Sequence, residues 1–353
     1  MNTNFAYCIL LLLLLCTSSL IICFKINPYR NHRTSFIQNT HHHRPLAASS
    51  SSSIGPRDQY LGRLVERKKI VVDGMLRRHQ DASDPLVMRM SYMATEGKFN
   101  VTRSLKLPGE GREDLHTMSV MIDMKRKSPT IPNKRDIVDF KDAPQFAELL
   151  TLAQADAFLI NTDEQEYGGN TNELKPCVKA VKNTRSENPP ACIVKDVILH
   201  PIQIAQAVEH GATGVLLITA VVGSDLETLL NSCTIMGVEA VVEVHTPSEL
   251  DFALARGATI FLVNMWDRSS GILHPQQAKG LASMMPMNAV AIAAGNIRTV
   301  EQACELGFYG YDSVVLGRNL AEVPDIQKFI DGVHGFRGAP RKVGMGMKGL
   351  YWG

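Results

Sequence analysis

Between residues 118 and 333 this chain repeats one rhythm eight times: a short apolar run, then a stretch of helical length. The runs are MSVMIDMK (118–125), ADAFLINT (155–162), ACIVKD (191–196), TGVLLITAVV (213–222), EAVVEVH (239–245), TIFLVNM (259–265), AVAIAAGN (289–296) and DSVVLGR (312–318). They are continuously hydrophobic, which marks strands covered on both faces. The candidate helices, around 143–154, 172–183, 200–210, 225–236, 247–256, 275–284, 299–306 and 322–333, often stop at glycine, as in EHGAT, IMGVE, ARGAT and ELGFY. Eight such units predict an α/β fold of the (β/α)8, or TIM, barrel type. An open doubly wound sheet is the alternative. It normally carries a glycine-rich dinucleotide loop after its first strand, where this chain reads KRKSPT.

A barrel of this type collects its chemistry where the strands end. Lys125 ends the first run; Lys195, Glu243 and Asn264 lie near the ends of the third, fifth and sixth, Gly295 and Gly317 near those of the seventh and eighth. Taken singly, a lysine at a strand end is most often a solvated cation whose stem covers apolar surface, and a glycine there merely turns the chain. Convergence on one rim is the stronger signal. Glycines after the last two strands let backbone N–H groups approach a phosphate, and Lys125 and Arg318 add positive charge. The expected substrate is a phosphate ester.

The segments MKRKSPT, TDEQEYGGN, IVKDVILHPIQIAQAVEHGATGVLLITAVV, VVEVHTPSELDFALARGA, GNIRT and VVLGRNL, in that order, resemble indole-3-glycerol phosphate synthases. The resemblance runs from about Tyr60 to Gly335 and includes YLGRLVERKKIVVDGMLRRHQ, similar to the family's leading helix. It implies a barrel with an N-terminal helical extension that closes the ring of a carboxyphenylamino-deoxyribulose phosphate, losing carbon dioxide and water, with no metal or organic cofactor. It assigns to Lys195 the proton donated to the ketone oxygen, and to Glu243 the cation on the ring nitrogen and the later proton removal. Lys125 would hold the substrate's carboxylate or phosphate and assist loss of water; Asp123 and Asn264 complete the catalytic set. Ser128, Gly295, Asn296, Gly317 and Arg318 fall on the substrate- and phosphate-binding segments, and other tryptophan-pathway enzymes are the implied partners. An amine crowded by another cation becomes an acid near neutrality, whereas Glu243, partly buried, is expected to have a raised pKa.

Four positions depart from that pattern. Asp123 stands where the family usually has Glu, and strand seven ends AAGN instead of ESG, so that Ala294 or Gly295 takes the serine's place. In NMWD, Trp266 occupies the charged position two residues after Asn264, and Arg318 replaces a small hydroxyl residue. Two readings follow: an enzyme with altered tuning, or a lapsed barrel kept as a binding or assembly component. Another phosphate-handling barrel enzyme, such as an isomerase, is a third.

The flanks differ in kind from the barrel. Residues 1–57 hold five cations and no acid, against a net charge of only +2 for all 353 residues, a balance that excludes a nucleic-acid-coating protein. They begin with an apolar run, Phe5 to Cys23, followed by a basic, Ser- and His-rich stretch. A signal stretch followed by a transit-like one is the expected form of a two-step plastid address, removed on import and leaving no membrane attachment; secretion and a membrane anchor are the alternatives. The domains read as a leader over 1–57, a helical extension over 58–117, the barrel over 118–335 and a flexible tail over 336–353. Cys177, Cys192, Cys233 and Cys304 have no metal-ligand spacing, and Cys192 and Cys233 read as buried thiols.

Overall fold

The computed structural model describes residues 58–94, 100–106, 115–128, 138, 140–268 and 271–339; the expected targeting leader and all but the first residues of the expected tail lie outside them. Eight parallel strands close a barrel in chain order: β1 (Ser119–Met124), β2 (Ala157–Asn161), β3 (Ala191–Lys195), β4 (Gly214–Ile218), β5 (Glu239–Val244), β6 (Ile260–Asn264), β7 (Val290–Ala294) and β8 (Ser313–Leu316). Strand β1 pairs with both β2 and β8, which excludes the open sheet.

Strand parity decides what faces the barrel interior. Met121, Leu159, Ile193, Leu216, Val241, Leu262, Ile292 and Val315 form the inner cluster, while Val120, Ile122, Phe158, Val242 and Phe261 pack outward against the helices. Two residues beyond the inner set, on the same parity, come Asp123, Asn161, Lys195, Glu243, Asn264 and Gly317. The polar residues are therefore the last members of apolar rows, delivered to one mouth by the pleat.

The apolar run 213–222 is longer than its strand. Strand β4 ends at Ile218, and Thr219–Val222 wind into a helical turn that stops at Gly223, φ +50°. Barrel closure needs staves of similar length, so the surplus hydrophobic residues join the layer above.

The N-terminal extension is more elaborate than one leading helix. Helices Asp58–Arg78, Pro85–Ser91 and Asn100–Leu105 precede the barrel. The third plugs its base: Val101 and Leu105 are fully buried in the inner cluster. The Glu239 carboxylate accepts hydrogen bonds from the N–H groups of Val101 at 2.6 Å and Thr102 at 3.1 Å, satisfying donors that a helix start leaves unpaired. At the far end of the chain, His116 and Gly338 exchange two backbone hydrogen bonds, and Phe336 is buried. The barrel's base thus extends beyond the boundary at 335 expected from sequence. Cys177, Cys192 and Cys233 are buried free thiols, each pushed by burial to about 12.

Candidate active site

A cavity of about 390 Å³ opens at the C-terminal mouth. All ten residues expected at the site, Asp123, Lys125, Ser128, Lys195, Glu243, Asn264, Gly295, Asn296, Gly317 and Arg318, line it. The helix Asp58–Arg78 covers one side with Leu61 and Leu64. Lys68 on that helix reaches Asp163 at 3.0 Å and Asp196, next to Lys195, at 2.5 Å, and Arg67 pairs with Asp163 at 2.7 Å. The cover is thereby tied to the loops after β2 and β3.

The cation run Lys125–Lys127 divides at the strand end. Arg126 leaves the cavity to make a two-pronged pair with Glu173, both contacts 2.9 Å, and to lie over the Phe140 ring. Lys125 stays on the inward parity. Asp123 Oδ2 accepts from Lys125 Nζ at 2.7 Å and from Lys195 Nζ at 2.8 Å, while Oδ1 accepts from Asn161 Nδ2 at 2.8 Å. Burial alone would raise the Asp123 pKa, but the two ammonium groups hold it far below the usual carboxylate range. Lys125 is lowered, chiefly by burial and further by Lys195, with Asp123 opposing. The two amines are not in bare apposition, as crowding alone suggests: a carboxylate sits between them.

Glu243 corrects an expectation. Burial does push its pKa upward, but the Arg268 guanidinium overrides this and holds it well below the usual range. Arg268 Nη2 donates to Oε2 at 2.6 Å and Nε donates to Oε1; Asn264 Nδ2 donates to Oε1 at 3.2 Å, and His245 Nε2 lies 3.2 Å from the same oxygen. Arg268 Nη1 also donates to the Tyr167 hydroxyl at 2.7 Å, and Lys195 Nζ stands 5.3 Å from the centre of the Tyr167 ring. Sequence reasoning missed Arg268, Tyr167 and Asn161. Parity after Leu159 marks Asn161; no local signal marks Arg268, which is brought in because Trp266 bridges Leu273 and turns the chain. The charged group expected at 266 is present after all, two residues later.

At the other side of the mouth, Gly295 (φ +112°) and Asn296 (φ +55°) take left-handed conformations. Gly317 packs on Asp123: an added Cβ would lie 3.0 Å from Oδ2 and 3.1 Å from the aspartate Cβ. Arg318 does not pair with Glu322, which is engaged by Arg298 at 2.9 Å; its Cζ instead lies 4.3 Å from the centre of the Trp266 ring.

These features define a (β/α)8 barrel with two lysines, two buried carboxylates and a glycine-lined cationic end at one mouth. The chain belongs to the indole-3-glycerol phosphate synthase family, whose family model matches residues 86–333. Indole-3-glycerol phosphate synthase of Opitutus terrae is 30% identical over 59% of this chain and 77% of its own length. That of Chloroherpeton thalassium is 27% identical over 74% of this chain and 94% of its own. The multifunctional tryptophan biosynthesis protein of Schizosaccharomyces pombe is 31% identical over 60% of this chain, which corresponds to 27% of that longer protein.

Proposed function

We propose that this protein closes the indole ring of 1-(2-carboxyphenylamino)-1-deoxyribulose 5-phosphate in tryptophan biosynthesis, releasing carbon dioxide and water. The observation that carries this is the arrangement of Lys125 and Lys195 on one carboxylate, Asp123, with Glu243 lining the same cavity. Lys195 donates a proton to the ketone oxygen as the aromatic ring carbon bonds to the ketone carbon. Carbon dioxide then leaves the ring carbon that carried it, and the new hydroxyl departs as water with a proton lost from the neighbouring ring methylene carbon, so that the indole keeps its N–H. Lys125, with its lowered pKa, suits the protonation of that leaving hydroxyl.

Glu243 fits one half of its expected role better than the other. A buried carboxylate held ionised by Arg268 is a strong electrostatic partner for the cation developing on nitrogen. It is a weak base until that cation competes with Arg268 for it. Three of the departures from the family pattern touch one another, Trp266 meeting both Gly295 and Arg318, as co-adjusted parts of a working site do. That favours an enzyme over a lapsed barrel. Introduced into a bacterium lacking this ring-closing step, the protein restores growth without tryptophan; failure to do so at full expression would contradict the reading.

The leader supports import into a plastid in two steps, since a basic, acid-free stretch follows the apolar run. The mature protein then starts between Phe24 and Asp58, whereas N-terminal sequencing that found Met1 retained would exclude removal. Other enzymes of the same pathway are the partners this reading supplies.

A further inference from the structure

Three departures from the family pattern form one contact chain. Gly295 takes φ +112°, and a Cβ added there would lie 3.2 Å from Trp266 Cδ1 and 3.2 Å from Met265 Cβ, so conformation and space both select glycine. The face of the Trp266 ring in turn carries the Arg318 guanidinium at 4.3 Å, well inside the range at which a cation is attracted to a ring. The ring's own place is fixed by the Trp266 N–H, which donates to Asn264 Oδ1 at 3.1 Å, and by the bridge to Leu273. Because Arg268 serves Glu243, position 266 is released from carrying charge and free to hold an aromatic ring.

Arg318 follows Gly317 directly and lines the cavity. Among the described residues it makes no ion pair. Burial pulls its pKa below the ordinary arginine value while Glu322 opposes, the condition of a partly desolvated cation that remains protonated. A guanidinium stacked on a ring uses its face and leaves its N–H edge for an anion.

We propose that Trp266 is a positioning residue that presents the Arg318 guanidinium to the phosphate of the substrate, so that a ring-stacked arginine, in place of a hydroxyl, sets the affinity for a phosphomonoester. The proposal rests on the phosphate-ester reading of the site, but its test does not require ring closure. Inorganic phosphate is titrated calorimetrically into the full chain, Arg318→Ser, Trp266→Leu, Trp266→Phe and the Ser/Leu double variant. Arg318→Ser weakens phosphate binding about 10–100-fold, the range for a charged hydrogen bond. Trp266→Leu, which removes no charge, weakens it by a comparable factor, the double variant is no weaker than Arg318→Ser, and Trp266→Phe keeps most of the affinity.

Wild-type affinity in Arg318→Ser, or no phosphate binding by the wild type, overturns the proposal. So does a Trp266→Leu variant that binds normally, or a double variant whose loss is the product of the single losses, since Trp266 then does not act through Arg318. If Trp266→Leu does not fold, a loss in Trp266→Phe equal to that of Arg318→Ser counts against the role of the ring face. Indole formation, followed on the same preparations, separates the two claims. Coupled phosphate binding without indole product defeats the proposed reaction alone, and normal turnover and KM in Trp266→Leu defeats the inference alone.

Discussion

Arg268 holds both carboxylate oxygens of Glu243, although a helix, a strand and a turn separate the two residues in the chain. Glu243 is buried and Arg268 partly so, and the consequence of the pair is a carboxylate that stays ionised inside the barrel mouth. Charge-assisted, two-pronged contacts of this kind fix position as well as charge.

Replacing Arg268 with Gln leaves Glu243 buried without its main partner, a change that costs about 3–5 kcal/mol, toward the lower figure because Asn264 and His245 remain. The folded pKa of Glu243 lies below its unfolded value of roughly 4.3, so the pair's stability is present above that pH and lost as pH falls through the folded value. In Arg268→Gln the folded value rises toward or above the unfolded one, so acidification costs the variant less than the wild type and the stability gap between them narrows as pH falls. Urea unfolding between about pH 7 and 3 measures that gap; a gap that does not change with pH would show that Arg268 does not hold the charge.

Asp123→Asn acts on the amines. Asp123 opposes the burial that lowers Lys125, so its loss lowers Lys125 further and moves the alkaline limb of the pH–rate profile to lower pH. An alkaline limb unchanged in the variant would remove Lys125 from the titrating role. Gly317→Ala has a milder version of the same effect, because its methyl would meet Asp123 at 3.0–3.1 Å.

Leu105→Ala separates stability from chemistry. Leu105 is fully buried at the base of the barrel, on the helix that plugs it, remote from the residues that line the mouth. Truncation of such a side chain costs about 2–5 kcal/mol through lost burial and the cavity left behind. The thermal midpoint falls while kcat of the remaining folded enzyme is unchanged. A lowered kcat at full folding would mean that the plug transmits strain to the mouth.

Much of this site was legible because strand parity is local. Once the runs are taken as inward and outward rows, Asp123, Lys195 and Glu243 must emerge where Met121, Ile193 and Val241 lead. What escaped depends on partners distant in sequence. Burial of Glu243 is readable from its apolar neighbours, but the direction of its pKa is set by Arg268, which reaches it only through the turn closed by Trp266 and Leu273. Arg318 was expected to meet phosphate; the ring that holds it could not be foreseen, since Trp266 reads locally as a lost charge. The surplus apolar residues after Ile218 misled for the opposite reason: hydrophobicity reports burial, not whether the buried backbone is strand or helix.

In the proposed reaction Lys195 and Glu243 work across one mouth to close an indole ring. Steady-state indole fluorescence, with the carboxyphenylamino deoxyribulose phosphate supplied to the wild type and to Lys195→Met, tests it most directly. The expected result is product from the wild type and turnover about 10²–10⁴-fold lower in Lys195→Met, the usual contribution of a positioned proton donor, with cooperative unfolding retained. No indole from the folded wild type, or equal turnover in the two proteins, would contradict it.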